Sequence, residues 1–361
     1  MKLQFKTLIL LLMLPALAVA NHNKFKGKHT KEKTIKKEFT VNRDAGLKVD
    51  NSYGNVDVIT WSENRTVIEV QIKTNGNNEE KVRQRLEEIT VDFTSNPSLV
   101  TAKTIFNQKK DSWKFWNHGA NGVNIEVNYT IKLPVTNSID IDNDYGAISI
   151  DKLDGNAKIN CDYGQLHIGE LRADNNYLSF DYTSKSTIAY MKSGKISADY
   201  SYFTLEKGGD IELSADYTKS ELIEVNDVNY NCDYGKVIIG KANDIEGRGD
   251  YVTNRIGAVT GSLSLNTDYG SIKVERLTSS AKDVTIDGNY TGIKLGFESG
   301  YSFDFYLDLS YASFNGEENV TVTKTHKQSS HKEYSGYHGE KGSGNLIKIS
   351  SYYGGVTFIK Y

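Results

Sequence analysis

The amino-acid sequence predicts an all-β fold, a parallel β-solenoid (β-helix) of about 17–21-residue coils with a β-rich N-terminal cap carrying one short helix. Three observations predict it. A Tyr-centred segment recurs at near-constant spacing. Apolar and polar residues alternate at period two on either side of each Tyr, as half-buried strands do. Gly is frequent, with 31 copies, Tyr unusually so, with 23, and only 3 Pro interrupt 361 residues.

The elements follow in chain order. Lys2 and Lys6 precede an apolar stretch from Leu8 to Ala20, broken by Pro15 and ending in Ala18-Val19-Ala20. That is the pattern of a secretory signal peptide, residues 1–20, too short for a membrane span. Residues 21–39 read as a basic flexible tail, with seven Lys and one Glu between Lys24 and Lys37, suited to an acidic surface if to anything. Residues 40–137 read as the β-rich cap. Its strand patterns are Leu47–Asp50, Val56–Thr60, Val67–Lys73, Ile89–Phe93, Leu99–Ile105 and Val123–Leu133. Between them NNEEKVRQRLEE, residues 77–88, predicts a helix: Asn77 or Asn78 caps it, acidic residues fill its first turn, and Val82 and Leu86 are i,i+4 neighbours. The segment from Lys109 to His118 carries Trp113, Phe115 and Trp116 among lysines, a candidate ligand loop that stacks on a glycan or polymer, or else folds back on the cap.

Residues 138–361 hold the regular repeats. Their anchors are Tyr145, Tyr163, Tyr182, Tyr200, Tyr217, Tyr234, Tyr251, Tyr269, Tyr290, Tyr311 and Tyr353, and Tyr53 in NSYGNVDV is an earlier copy. From Tyr145 to Tyr311 the successive differences are 18, 19, 18, 17, 17, 17, 18, 21 and 21. The last, from 311 to 353, is 42, twice 21, which predicts one coil with a degenerate anchor and an inserted loop at about 324–344. Within a unit Ile159 and Cys161 alternate with Asn160 and Asp162, and Leu166 and Ile168 with Gln165 and His167. The inward set, read as 159/161/163 and then 166/168, shifts phase at Tyr163-Gly164, as at a bend between two strands. One such unit buries too little apolar surface to fold alone, and stacking copies builds a continuous core. Parallel stacking at about 4.8 Å per layer turns the Tyr residues into a structural ladder, here expected to face the interior.

The same spacing sorts the chemistry-bearing residues. Cys161 and Cys232 each stand two places before their Tyr, four layers apart, or about 19 Å at about 4.8 Å per layer. A disulfide needs Cα atoms within about 7 Å, so both are expected as buried free thiols. Asp144, Asp162, Asp181, Asp199, Asp216, Asp233, Asp250 and Asp268 form a column of carboxylates. Calcium between coils is one use for it. Hydrogen bonds from the Asp side chains to nearby turn amides are the other, and the spacing lacks the nonapeptide pattern of calcium-binding β-rolls. His326, His331 and His338 fall in the Gly/Ser-rich loop, a weak chelating set without a fixed spacing.

A net charge of −3 gives no basis for nucleic-acid binding. No G-x-S-x-G, H-E-x-x-H, C-x-x-C, P-loop or dinucleotide fingerprint occurs, so neither a catalytic residue nor a cofactor is expected. The functional expectation is a non-enzymatic exported envelope protein, an adhesin-like binding or structural module. It would be periplasmic, on the outer-membrane surface or secreted, monomeric, with a glycan or an envelope or host protein as partner. The alternatives are a periplasmic regulatory or structural envelope protein and a carbohydrate-active β-helix enzyme.

Tyr129 to Pro134 (YTIKLP) and Ser138 to Gly155 (SIDIDNDYGAISIDKLDG), with the strand Asn55–Trp61 and the helix after Lys73, resemble the unit of the bacterial putative-adhesin family of β-strand-repeat envelope proteins, similar to autotransporter-adhesin head domains. The resemblance covers most of residues 40–361. It implies a parallel β-solenoid in the envelope and carries over no catalytic residue. Asp-Tyr-Gly stands here where a small residue or Thr is commoner before the Gly.

Overall fold

In a computed structural model, the structure describes residues 25–107 and 122–361. The fold is all-β: 28 strands joined in one open sheet, with one α-helix, Glu79–Glu88, and one 3₁₀ turn, Glu317–Asn319, among the described residues. The leader and the Trp113, Phe115 and Trp116 loop lie outside the described residues.

The strands form two parallel columns. Ser138–Asp144 pairs with Ala157–Asp162, and Ala147–Leu153 with Gln165–Leu171, so each strand meets the one two elements later. The register keeps like with like: Ile141 lies beside Ile159, and Ile150 beside Ile168. Side chains at these positions are buried in one core that runs the length of the sheet. Period-two alternation makes this possible, because every second residue of each strand points to the same face. Where one layer carries a bulky core residue the next makes room. Tyr230 is buried and lies in register with Gly247, and a Cβ on Gly247 would fall 2.1 Å from Tyr230 Cζ.

The boundary drawn at residue 138 does not separate two bodies. Gly46–Ser52 pairs in parallel with Ser138–Asp144, and Val56–Trp61 with Ala147–Leu153, so residues 46–61 are the first layer of the repeat. The segment between is an excursion that covers this end. Arg65–Gly76 and Asn124–Pro134 pair antiparallel, and Ile89–Asn96 pairs antiparallel with Leu99–Phe106. The helix starts where its cap predicts, with Asn78 Oδ1 accepting the Lys81 amide at 3.0 Å, and it buries Val82.

Two expectations fail at the ends. The basic tail is structured from residue 29: His29–Thr40 is a strand of 12 residues, antiparallel to Arg65–Gly76 along its whole length. Ile35 and Phe39 share one face of it and pack on the core, while its lysines alternate with Thr and Glu. The pairing backbone of Arg65–Gly76 recruits it despite its few apolar residues. The Gly/Ser-rich loop is in large part a hairpin, Thr321–Gln328 with His331–His338, and the second strand pairs antiparallel with Phe303–Ser310.

The C-terminal order is also corrected. Leu346–Tyr352 pairs with both Val284–Asn289 and Phe303–Ser310. The last unit of the chain is therefore inserted between its two predecessors in space. No degenerate coil fills the 42-residue interval. The excursion through the hairpin returns the chain to a gap left one layer thick.

Candidate binding surface

At each anchor the backbone does something unusual. All twelve Tyr have φ between 50° and 66°, the left-handed region. A non-Gly residue there costs on the order of 1–2 kcal/mol. The conformation redirects the chain from one strand column to the other and inverts the side-chain parity. Tyr163, which alternation alone would point inward with Ile159 and Cys161, is 51% exposed. The interior ladder is thus overturned: the rings stand on the outer edge, where the two columns meet.

They stack there without a break. In spatial order the file is Tyr53, Tyr145, Tyr163, Tyr182, Tyr200, Tyr217, Tyr234, Tyr251, Tyr269, Tyr290, Tyr353 and Tyr311. Its eleven steps have centroid distances from 4.7 to 5.3 Å and interplanar angles from 1° to 13°. Each step contributes about 0.5–1.5 kcal/mol beyond area burial, comparable to the left-handed cost it offsets. Backbone bonds tie the turns together as well, as where the Tyr182 amide donates to Asp199 O at 3.1 Å. Loss of solvent, and then the neighbouring phenols, raise the Tyr163 and Tyr217 hydroxyl pKa values above the ordinary phenol range.

The Asp column runs beside the rings, half-buried except at Asp216 and Asp250, which are exposed. Its carboxylates bond from layer to layer rather than within their own turn. Asp181 Oδ1 accepts the Asp199 amide at 3.0 Å, Asp199 Oδ1 that of Asp216 at 3.0 Å, Asp216 Oδ1 that of Asp233 at 2.9 Å, and Asp233 Oδ1 that of Asp250 at 2.7 Å. Asp162 and Asp268 take the same part, receiving the Asp181 amide and the Asn289 side-chain amide. Burial, and then neighbouring carboxylates, raise Asp144 above the usual carboxylate range. Burial also leads at Asp181, opposed by its amide bond and seconded by Asp199 and Asp162. No group of three or more His, Cys, Asp or Glu disposed to hold a metal ion occurs among the described residues.

The remaining candidates do not converge on this edge. Cys161 and Cys232 are buried and unpaired, their thiols pushed up to about 12 by desolvation. His338 is buried with Nδ1 2.8 Å from Tyr301 O, His331 Nδ1 lies 3.2 Å from Ser310 Oγ, and His326 is exposed on the hairpin's outer strand. The sequence reading places Trp61 only at the end of a strand and gives it no contact. Its indole Nε1 donates to Arg65 O at 2.9 Å, and the Arg65 guanidinium lies over its ring at 4.7 Å.

No family model matches the chain, and no curated protein matches it. Among solved structures, the chain is similar to a putative cell adhesion protein from Clostridium sporogenes, with 11% identity, a TM-score of 0.20, and 92% of this chain and 100% of that one covered. It is also similar to a putative adhesin from Bacteroides fragilis, with 10% identity, a TM-score of 0.30, and 91% and 97% covered. A putative adhesin from Parabacteroides distasonis gives 12% identity, a TM-score of 0.29, and 91% and 97% covered. Likeness at this level assigns neither fold nor function to the present chain.

Proposed function

We propose that this chain is an exported, non-enzymatic β-solenoid of the bacterial envelope that binds an extended partner along its Tyr–Asp edge. The leader pattern supports export, and the two parallel strand columns support the solenoid. The observation that carries the binding role is the uninterrupted file of twelve half-exposed Tyr rings. A solenoid needs a turn at each corner, and Gly or Asn makes a left-handed turn at little or no cost. Tyr at every such corner concentrates aromatic surface on one edge, on the order of 50 Å long at these spacings. Within the file the ring faces cover each other. The edge therefore presents ring rims, a row of hydroxyls and the parallel row of carboxylates. Such a periodic surface suits an extended glycan or protein strand that repeats its own hydrogen-bonding groups.

The enzymatic alternative has less support. Asp142 and Asp144 are both raised by burial and then by neighbouring carboxylates, Asp50 and Asp162 among them. They lie on the outward face, and neither lines the cleft at Tyr311 or the cleft at Trp61.

The test is retention of glycans and envelope proteins on the immobilised mature chain, compared with a Tyr182→Ser, Tyr200→Ser, Tyr217→Ser variant whose fold is checked by circular dichroism. Loss of retention by about tenfold or more is expected. Equal retention by the two would remove the edge as the binding face.

A further inference from the structure

The Tyr file sets phenols side by side at the solvent edge. At Tyr163–Tyr182 and at Tyr200–Tyr217 the ring centroids are 4.8 Å apart and the planes 1° from parallel. The same left-handed turn recurs in parallel layers, so successive rings are translated copies of one another. Each ortho carbon, Cε, therefore has its counterpart in the next ring at about the ring spacing. In a phenoxyl radical these carbons carry much of the unpaired electron, and their coupling makes dityrosine. Solvent reaches the rings at their rims: Tyr163, Tyr182, Tyr200 and Tyr269 are each 51% exposed.

Groups that compete for an oxidant are shielded. Sulfur side chains are oxidised according to exposure and, for thiols, thiolate content. Cys161, Cys232 and Met191, the sulfur side chains among the described residues, are all buried. Desolvation keeps both thiols protonated, pushed up to about 12. Tyr190 and Tyr202 are half-buried outside the file, and neither stacks on another aromatic ring among the described residues. They are reachable by an oxidant but lack a neighbouring phenol to couple with.

We propose that the Tyr file is a site of oxidative modification, in which a haem peroxidase using hydrogen peroxide links neighbouring layers through dityrosine. Two phenols each lose one electron and the O–H proton. The two radicals join by a Cε–Cε bond. The hydrogen on each bonded carbon then leaves as a proton while each oxygen regains one, which restores both phenols. The two electrons and two protons released reduce one hydrogen peroxide to two waters. Closing the gap needs ring rotation, which is fast at exposed side chains. A link from Tyr200 to Tyr217, 17 positions apart, constrains the unfolded chain as a disulfide does, in a protein whose two Cys are unpaired. Linking needs only the stack, so it succeeds or fails independently of any partner on the edge.

Treating the dilute mature chain with a haem peroxidase and hydrogen peroxide, and mapping the products by peptide mass spectrometry, tests it. Each link is expected to lower the mass by two hydrogen atoms and to join neighbours in the file, with Tyr290 linked to Tyr353 and not to Tyr311. The linked chain is expected to unfold at a higher urea concentration. A Tyr182→Phe, Tyr217→Phe, Tyr251→Phe variant keeps the rings stacked but leaves no adjacent phenols between Tyr163 and Tyr269. It is expected to lose the links of that stretch while Tyr290 and Tyr353 keep theirs. Links as frequent at Tyr190 and Tyr202 as in the file, the same links in the urea-unfolded chain, links only between molecules, or none at all overturns the proposal.

Discussion

Tyr290 stacks on Tyr353 at 4.9 Å, not on Tyr311, the next anchor in the chain. The final unit therefore completes an interior layer. Deleting residues 346–361 removes that layer, not an outer one, and leaves Val284–Asn289 and Phe303–Ser310 without their shared neighbour. Hydrogen exchange is expected to show Phe303–Ser310 and its hairpin losing protection in the truncated chain, while the layers before Val284 retain theirs. Continued protection of Phe303–Ser310 would mean that the order of layers is wrong.

Gly247 leaves the space that the Tyr230 ring occupies, and Tyr230 Oη donates to Asn254 Oδ1 at 2.7 Å. Gly247→Ala forces the ring away from that bond. A destabilisation of about 1–3 kcal/mol is expected from overpacking in urea denaturation. Tyr230→Leu in the same chain recovers part of it. If Gly247→Ala unfolds at the wild-type urea concentration, the two residues are not in contact.

The Tyr file separates a cost from a gain. At Tyr217, Ala loses the stack and keeps the left-handed backbone, whereas Gly loses the stack and relieves the backbone. Tyr217→Gly is expected to be more stable than Tyr217→Ala by about 1 kcal/mol, the reverse of the order in an ordinary strand. A double-mutant cycle between Tyr200 and Tyr217 is expected to give a coupling of about 0.5–1.5 kcal/mol. No coupling would reduce the file to a by-product of the turn.

What the sequence made legible follows from what repeats. Strand identity and layer spacing were readable because core residues such as Ile141 and Ile159 recur in register with their Tyr. The helix was readable from Asn78. The direction of the rings was not, because period-two alternation continues formally through Tyr163, and only φ inverts it. The available signal was a Tyr at each corner where Gly or Asn is the ordinary left-handed residue. The layer order at the C-terminus was hidden because a spacing of 21 or 42 residues does not say on which side of Tyr311 the last unit lands. The strand His29–Thr40 was hidden by its lysines, since the pairing that orders it comes from Arg65–Gly76 and not from its own apolar content.

Two members of the carboxylate column give the repeat a pH response. Asp144 and Asp181 have folded pKa values above their unfolded ones, chiefly from burial. The native state then binds more protons than the unfolded state between the two values, so stability falls as pH rises through that window. The penalty is full above the folded pKa and absent below the unfolded one, near about 3.9. Asn keeps an acceptor oxygen for the Asp199 amide and removes the charge. Asp181→Asn is therefore expected to raise the urea midpoint at pH 7, and the gain is expected to shrink to nothing as pH falls through the carboxylate range. Asp174, lowered chiefly by its bond to Lys192, has the opposite sign. Asp174→Asn loses stability at pH 7, and that loss fades on acidification. Urea titrations of the two variants between neutral and acidic pH check both slopes. If both variants move in the same direction at pH 7, the column is held by its hydrogen bonds and not opposed by its charge.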